Sequence, residues 1–249
     1  MPIPHKGLNF VPMKDIKVIA FDADDTLWAL QNHFEEVEKA YCNLLSAYDT
    51  SDAISASLFS TESHNMSDLG YGCKAFIISL VENAISISQG RVTATEISQV
   101  IELGKSLLHV SASPLPGVKD TLKKLHSITD DTTGKRRYKM VVFTKGELMD
   151  QENKLHRSGL LPYFDMVRIV SDKTPEAYRC LCTDLQVSPK ELLMVGNSLR
   201  SDILPALEIG AWAVHVPFSV TWEHEKAEMS THEHLRPIVC FSELISVLA

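Results

Sequence analysis

Five short, almost wholly apolar runs separated by helical patterns constrain this 249-residue chain more than any other feature. They are Val18–Phe21, 138–144, Met166–Val170, Leu192–Gly196 and 211–216, and helical patterns fill 147–158, Pro175–Leu185 and 201–209 between the later ones. A run that short and that continuously apolar reads as a strand buried on both faces. Such strands alternating with helices build right-handed β-α-β units around a parallel sheet. The expected class is α/β, with helices on both faces of the sheet.

Residues 30–112 break this rhythm, because they hold long helical patterns and no convincing strand. Phe34, Val37, Tyr41, Leu44 and Leu45 recur mostly at helical spacing, as do Phe76, Ile77, Leu80, Val81, Ala84 and Ile87, and 95–110 continues the pattern. Pro114, Pro116 and Gly117 then punctuate the return before a helix over 118–127. The expected organisation is a catalytic core of residues 1–29 and 113–249, with an all-helical insert at 30–112 acting as a cap.

The 24 basic and 32 acidic side chains give a formal net charge of −8. Nucleic-acid and anionic-membrane binders rely on a basic footprint, so neither partner is expected. The one basic cluster, Lys135, Arg136 and Arg137, sits among Asp130, Asp131 and Gly134 and reads as a solvated loop. Five cysteines with no C-x-x-C pattern point to reduced thiols and a cytoplasmic protein. The longest apolar stretch falls far short of a membrane helix, and prolines at positions 2, 4 and 12 interrupt the place a signal peptide would occupy.

Chemistry gathers at the predicted strand ends, the edge where open α/β sheets bind ligands. Asp22, Asp24 and Asp25 follow the first strand, with Thr26 behind them. Carboxylates about 4 Å apart repel by roughly 4 kcal/mol at an effective dielectric of 20. A cation relieves that repulsion, and an oxygen-only donor set favours Mg2+; the alternative is a plain acidic helix N-terminus. Thr144, Lys145 and Gly146 end the second strand, where a hydroxyl and turn N–H groups can hold phosphate oxygens. Lys173 precedes a predicted Thr174 cap and Pro175; a cation is disfavoured at a helix N-terminus, so a buried negative partner is expected. Asn197 and Asp202 follow the fourth strand.

Taken together, these four segments resemble the haloacid dehalogenase superfamily of phosphohydrolases, with its D-x-D-x-T motif, strand-end Ser or Thr, Lys and acidic fourth motif. The resemblance runs from Val18 to about Pro217 and implies a Rossmann-like core with a cap over it. It implies Asp22 as a nucleophile forming an aspartyl-phosphate, Asp24 as general acid and then base, and Thr144 and Lys173 on the transferring phosphoryl group. It places Mg2+ on the Asp22 carboxylate, the Asp24 backbone carbonyl and Asp202. Asn197 departs from the pattern, since many relatives carry Asp there; it removes one negative charge from the metal site. Asp24 favours ester hydrolysis over dehalogenation, because a halide leaves without a proton.

The resulting expectation is a Mg2+-dependent phosphatase of a small phosphorylated metabolite, with a mutase of the same superfamily or a catalytically silent phosphate-binding protein as the competing readings. Lys74, in the glycine-flanked loop at the start of a cap helix, could meet a distal anionic group of the substrate or simply face solvent. Trp28 fits either the cavity wall or packing beneath the cap hinge. His224, His232 and His234 lack further ligands at zinc-binding spacing and read as a surface loop.

Overall fold

Strand β1 (Val18–Phe21) lies at the centre of a six-stranded sheet ordered β3-β2-β1-β4-β5-β6, and every pairing in it is parallel. The other strands are β2 (Lys139–Lys145), β3 (Met166–Val170), β4 (Leu192–Gly196), β5 (Trp212–His215) and β6 (Leu235–Pro237). The computed structural model describes residues 13, 15–220, 222, 223, 225, 227 and 231–248 and the backbone of His224. The reading of the N-terminal prolines and of the His224 side chain lies outside the described residues.

Alternation along β1 shows why the sheet needs two covers. Side chains of a strand point to opposite faces in turn. Ile19 and Phe21 join one apolar cluster with residues of α5 (Val118–Ser127), α6 (Leu148–Ser158) and α9 (Leu244–Leu248). Val18 and Ala20 join a second with α7 (Pro175–Leu185) and α8 (Leu204–Glu208). The chain runs outward from β1 through β2 to β3, then returns to the other side of β1 as β4. That reversal opens a crevice at the carboxyl ends of β1 and β4.

Four helices fall between β1 and α5: α1 (Gln31–Leu44), α2 (Ser51–Leu69), α3 (Cys73–Ile87) and α4 (Ala94–Ser106). They share an apolar cluster of their own around Tyr41, Leu45, Ile54, Leu58, Leu80 and Val100. Asp25 starts the unit, since its carboxylate accepts from the N–H groups of Leu30 (2.7 Å) and Gln31 (3.0 Å) and so caps α1. The third acidic residue of the first motif is therefore structural. Gly70 and Gly72 turn the chain between α2 and α3 at φ values of 69° and 129°, which favour glycine.

Two elements differ from the sequence reading. β6 extends the sheet with three residues, two of them Arg236 and Pro237; a proline is tolerated there because an edge strand can leave one N–H unused. The helix expected over 201–209 begins instead as a π-helical turn, Leu199–Ile203, in which the Ile203 N–H reaches the Ser198 carbonyl at 3.2 Å. Such wide turns recur at functional sites. This one carries Asp202.

Candidate active site

β1 delivers Asp22 to the crevice, the loop after β3 delivers Lys173, and the π turn after β4 delivers Asp202. The Lys173 ammonium donates to Asp22 Oδ1 and, at 2.6 Å, to Asp202 Oδ1. Lys173 is 3% exposed and Asp202 fully buried. The lysine that was odd at a helix start thus has two buried negative partners. Burial lifts Asp22 to about 7, Asp202 adds to the rise and Lys173 pulls against it. Burial alone would lower Lys173, yet Asp202 and Asp22 hold it above its ordinary value and charged. Among the described residues, Asp22 Oδ2 has a single, long contact, 3.5 Å, from the Thr26 hydroxyl.

The wall beside Asp22 is built to seat Asp202. A Cβ on Gly196 would lie 2.2 Å from Asp202 Oδ2, so the absence of a side chain is what admits the carboxylate. The same Oδ2 accepts from the Ser198 N–H at 2.9 Å, and Tyr178 holds the Asp202 carbonyl at 3.0 Å. Gly196→Ala is expected to cost about 1–3 kcal/mol through overpacking, a fall in Tm of about 2–4 °C for each kcal/mol. A thermal melt checks it; an unchanged Tm would mean that Asp202 can sit elsewhere.

Asn197 takes the Thr26 hydroxyl on its Oδ1 at 3.1 Å, and its backbone carbonyl meets His215 Nε2 at 2.9 Å. Burial lowers His215, which favours the neutral ring. Asp22, Asp202 and Asn197 form an oxygen-only donor set, and among the described residues no three His, Cys, Asp or Glu side chains gather as a metal-binding group. Mg2+ suits such a set, because it takes one or two carboxylates and keeps several waters. Among the described ion pairs, Asp22 and Asp202 share Lys173, whereas Asp24 and Asp150 share Lys154.

Asp24 is held from the core side. Trp28 Nε1 donates to its Oδ1 at 2.8 Å, Gln151 Nε2 to its Oδ2 at 2.7 Å, and Lys154 Nζ to both oxygens at 2.8 Å. Trp28 is a core residue, packed in the cluster beneath the sheet edge. Lys154 also pairs with Asp150 Oδ2 at 3.2 Å, and the same oxygen accepts from the Cys73 Sγ of α3 at 3.6 Å.

Asp22, Asp24, Thr144, Lys145, Gly146, Lys173, Asn197 and Asp202 all line one cavity of about 740 Å3 whose opposite wall is formed by α1, α2 and the start of α3. Thr144 is buried at the strand end as expected. Lys145 is committed elsewhere: it pairs with Glu225, donates to Ser201 Oγ at 2.9 Å and lies 3.9 Å from the Tyr71 ring centroid. The Gly146 N–H, expected to be available for phosphate, donates to the Val170 carbonyl at 3.1 Å.

Lys74 does not line the cavity; it pairs with Glu147 at 3.0 Å, across from α3 to the cap residue of α6. The helical wall instead presents Glu35, Glu38, Asp52 and Glu62, with Phe34, Phe59, Met66 and Phe76 among them. Burial and the neighbouring Glu38 lift Glu62 to about 7. From its ordinary value near 4.5 up to about 7, the folded state holds a proton that the unfolded chain has released, so stability falls as pH rises through that window. Glu62→Gln is expected to raise Tm at pH 8, by about 2–4 °C if the gain is on the order of 1 kcal/mol, and to leave it unchanged at pH 4. Equal Tm shifts at both pH values would exclude the carboxylate as the cause.

Several residues of this site escaped the sequence reading: Gln151, Lys154, Tyr178, Ser198, His215 and Glu225. Only Gln151 and Lys154 carried a signal, as polar side chains three apart on the face of α6 that also presents Leu155. The remaining expectations concern the surface. Arg136 pairs with Asp165 in an exposed loop, His234 stacks on Trp212 with ring centroids 4.3 Å apart, and all five cysteines are free. No described helix is long and apolar enough to cross a membrane.

Comparison with known proteins places the fold. The family model for haloacid dehalogenase-like hydrolases matches residues 16–210. Among solved structures, the chain is similar to a haloacid dehalogenase-like family hydrolase from Xanthomonas campestris, at 27% identity and a TM-score of 0.81 over 96% of this chain and 95% of that one. A predicted phosphoglycolate phosphatase from Haemophilus somnus 129pt matches at 18% identity and a TM-score of 0.59, covering 95% and 100%. The 2-haloacid dehalogenase of Pseudomonas syringae pv. tomato DC3000 matches at 20% and 0.61, covering 94% and 98%. No curated protein matches.

Proposed function

The chain belongs to the haloacid dehalogenase-like hydrolases, and from that premise we propose that it hydrolyses a small-molecule phosphate monoester through an aspartyl-phosphate on Asp22. Fold neighbours include both a predicted phosphatase and a dehalogenase, so the fold does not choose between them. The observation that carries the choice is Asp24, a second carboxylate lining the same cavity as Asp22 and held there by Trp28, Gln151 and Lys154. An alkoxide leaving group needs a proton donor at that place; a halide does not.

In the first step Asp22 Oδ2, the less engaged oxygen, attacks phosphorus; the P–O bond to the leaving group breaks, and Asp24, which enters this step protonated, gives that oxygen its proton and becomes the carboxylate that pairs with Lys154. In the second, Asp24 takes a proton from water as the water attacks phosphorus, and the bond to Asp22 breaks to release inorganic phosphate. Thr144 donates its hydroxyl to a phosphoryl oxygen, and Lys173 pulls Asp22 toward its ionised form and offsets the incoming charge. Mg2+ would be held by Asp22 and Asp202 with Asn197 beside them, and the family resemblance adds the Asp24 carbonyl; the chemistry it supplies is neutralisation of the phosphoryl oxygens.

The four-helix unit acts as the cap, covering the cavity and excluding bulk water and macromolecular substrates. A volume of about 740 Å3 suits a metabolite-sized ligand. The free thiols accord with a reducing cytoplasmic setting. The test offers the purified protein a panel of phosphate monoesters and a 2-haloacid, with Mg2+ or with a chelator. Mg2+-dependent release of inorganic phosphate with no halide release is expected. Halide release without phosphate release would overturn the reading.

A further inference from the structure

We infer that Lys154 and Gln151 of α6 are positioning residues that fix the Asp24 carboxyl for proton transfer to the leaving group, an inference that rests on the acid role proposed for Asp24. Lys154 is 1% exposed, and buried lysines are rare unless paired. Its ammonium meets both Asp24 oxygens at 2.8 Å, which sets the plane of the carboxyl as well as its place. Gln151 lies three residues earlier on the same helical face and is itself 4% exposed. Its Nε2 spans Asp24 Oδ2 at 2.7 Å and the Lys145 carbonyl at 2.9 Å, so it ties the carboxyl to the end of β2 next to Thr144. Both acceptors need a donor, which fixes the amide orientation. The Trp28 indole donates to Oδ1 at 2.8 Å, and Asp24 still lines the cavity.

This arrangement does more than neutralise a charge. Asp24 is three residues beyond β1, just before the turn that starts at Asp25, and a side chain in such a loop is free to take several rotamers. Three donors from two elements leave it one. Asp150 holds the other side of Lys154 at 3.2 Å, so the ammonium is fixed between two carboxylates rather than hanging on a flexible stem.

Lys154→Met and Gln151→Met test the inference, with Asp24→Asn as reference. The measurement is kcat/KM for two esters, p-nitrophenyl phosphate and a simple alkyl phosphate. This ratio reports the step up to P–O cleavage, and nitrophenolate leaves without a proton whereas an alkoxide does not. Both variants are expected to lose at least about tenfold more on the alkyl ester than on the aryl ester, in the direction of Asp24→Asn, with Lys154→Arg recovering part of the loss. A merely structural role would lower both esters equally. Lys154→Met strands Asp150 beside Asp24 and costs stability; where that variant does not fold, Gln151→Met, which strands no charge, decides the matter. Equal losses on the two esters in the Gln151 variant, while Asp24→Asn still discriminates, would overturn the inference and leave the phosphatase reading standing. An Asp24→Asn protein that does not discriminate would remove the acid role and the inference with it.

Discussion

Asp22→Asn is expected to abolish turnover, with a loss on the order of 10^4-fold or more, as removal of a nucleophile generally produces. The amide has the carboxylate's size, so the pocket wall stays in place. It has no charge with which to attack phosphorus, and its one remaining oxygen can still accept from Lys173, whose ammonium keeps Asp202 as its other partner. Stability should not fall with activity. Burial and Asp202 raise Asp22 to about 7, so above that pH the ionised group is a liability in the folded state that the variant lacks. Tm at pH 8 is therefore expected to be equal to or above that of the parent. Acid-quenched intact mass after exposure to a phosphomonoester should show an added phosphoryl group on the parent and none on the variant. Substantial turnover in Asp22→Asn would remove Asp22 from the chemistry altogether.

The parts of this site that were legible in the sequence are those where local sequence does the positioning. A four-residue apolar strand that ends at Asp22 tells both where the sheet is and where its ligand edge lies. Lys173 was legible because its charge is wrong for the helix start it occupies, and the structure supplies the two carboxylates that the mismatch called for. Asp202 was placed at the right edge, although the π turn that presents it has no sequence signature beyond Gly196, whose role depends on a contact six residues away.

What was not legible depends on tertiary packing. Lys145 looks like a phosphate ligand by position, but Glu225, eighty residues on, takes its charge. Lys74 looks like a substrate contact by its place in a cap loop, but Glu147 draws it away from the cavity and the wall behind it is acidic. Lys154 looks like an exposed helix residue until α6 packs it against Asp24. β6 is too short, and too polar, to stand out before β5 offers it an edge.

Lys173→Met should produce the second large effect, and it separates the roles of lysine and metal. The ammonium donates to both Asp22 Oδ1 and Asp202 Oδ1, and both carboxylates are buried. Removing one partner of a buried ionic cluster commonly costs about 3–5 kcal/mol, because the charges left behind are uncompensated. The metal-free variant is thus expected to melt well below the parent. Mg2+ should recover part of that loss, since a cation seated on the same carboxylates relieves the same repulsion; its Tm should accordingly rise more with added Mg2+ than the parent's does. Activity should stay at least about 10^3-fold down even at saturating Mg2+, because a metal seated on Asp22 and Asp202 does not supply the proton-donating contact that the ammonium makes to Asp22 Oδ1. Thermal melts with and without Mg2+, beside phosphate release at saturating metal, read the two effects separately. If Mg2+ restored turnover to the parent level, Lys173 would be a structural counter-charge only, and its proposed part in phosphoryl transfer would fall.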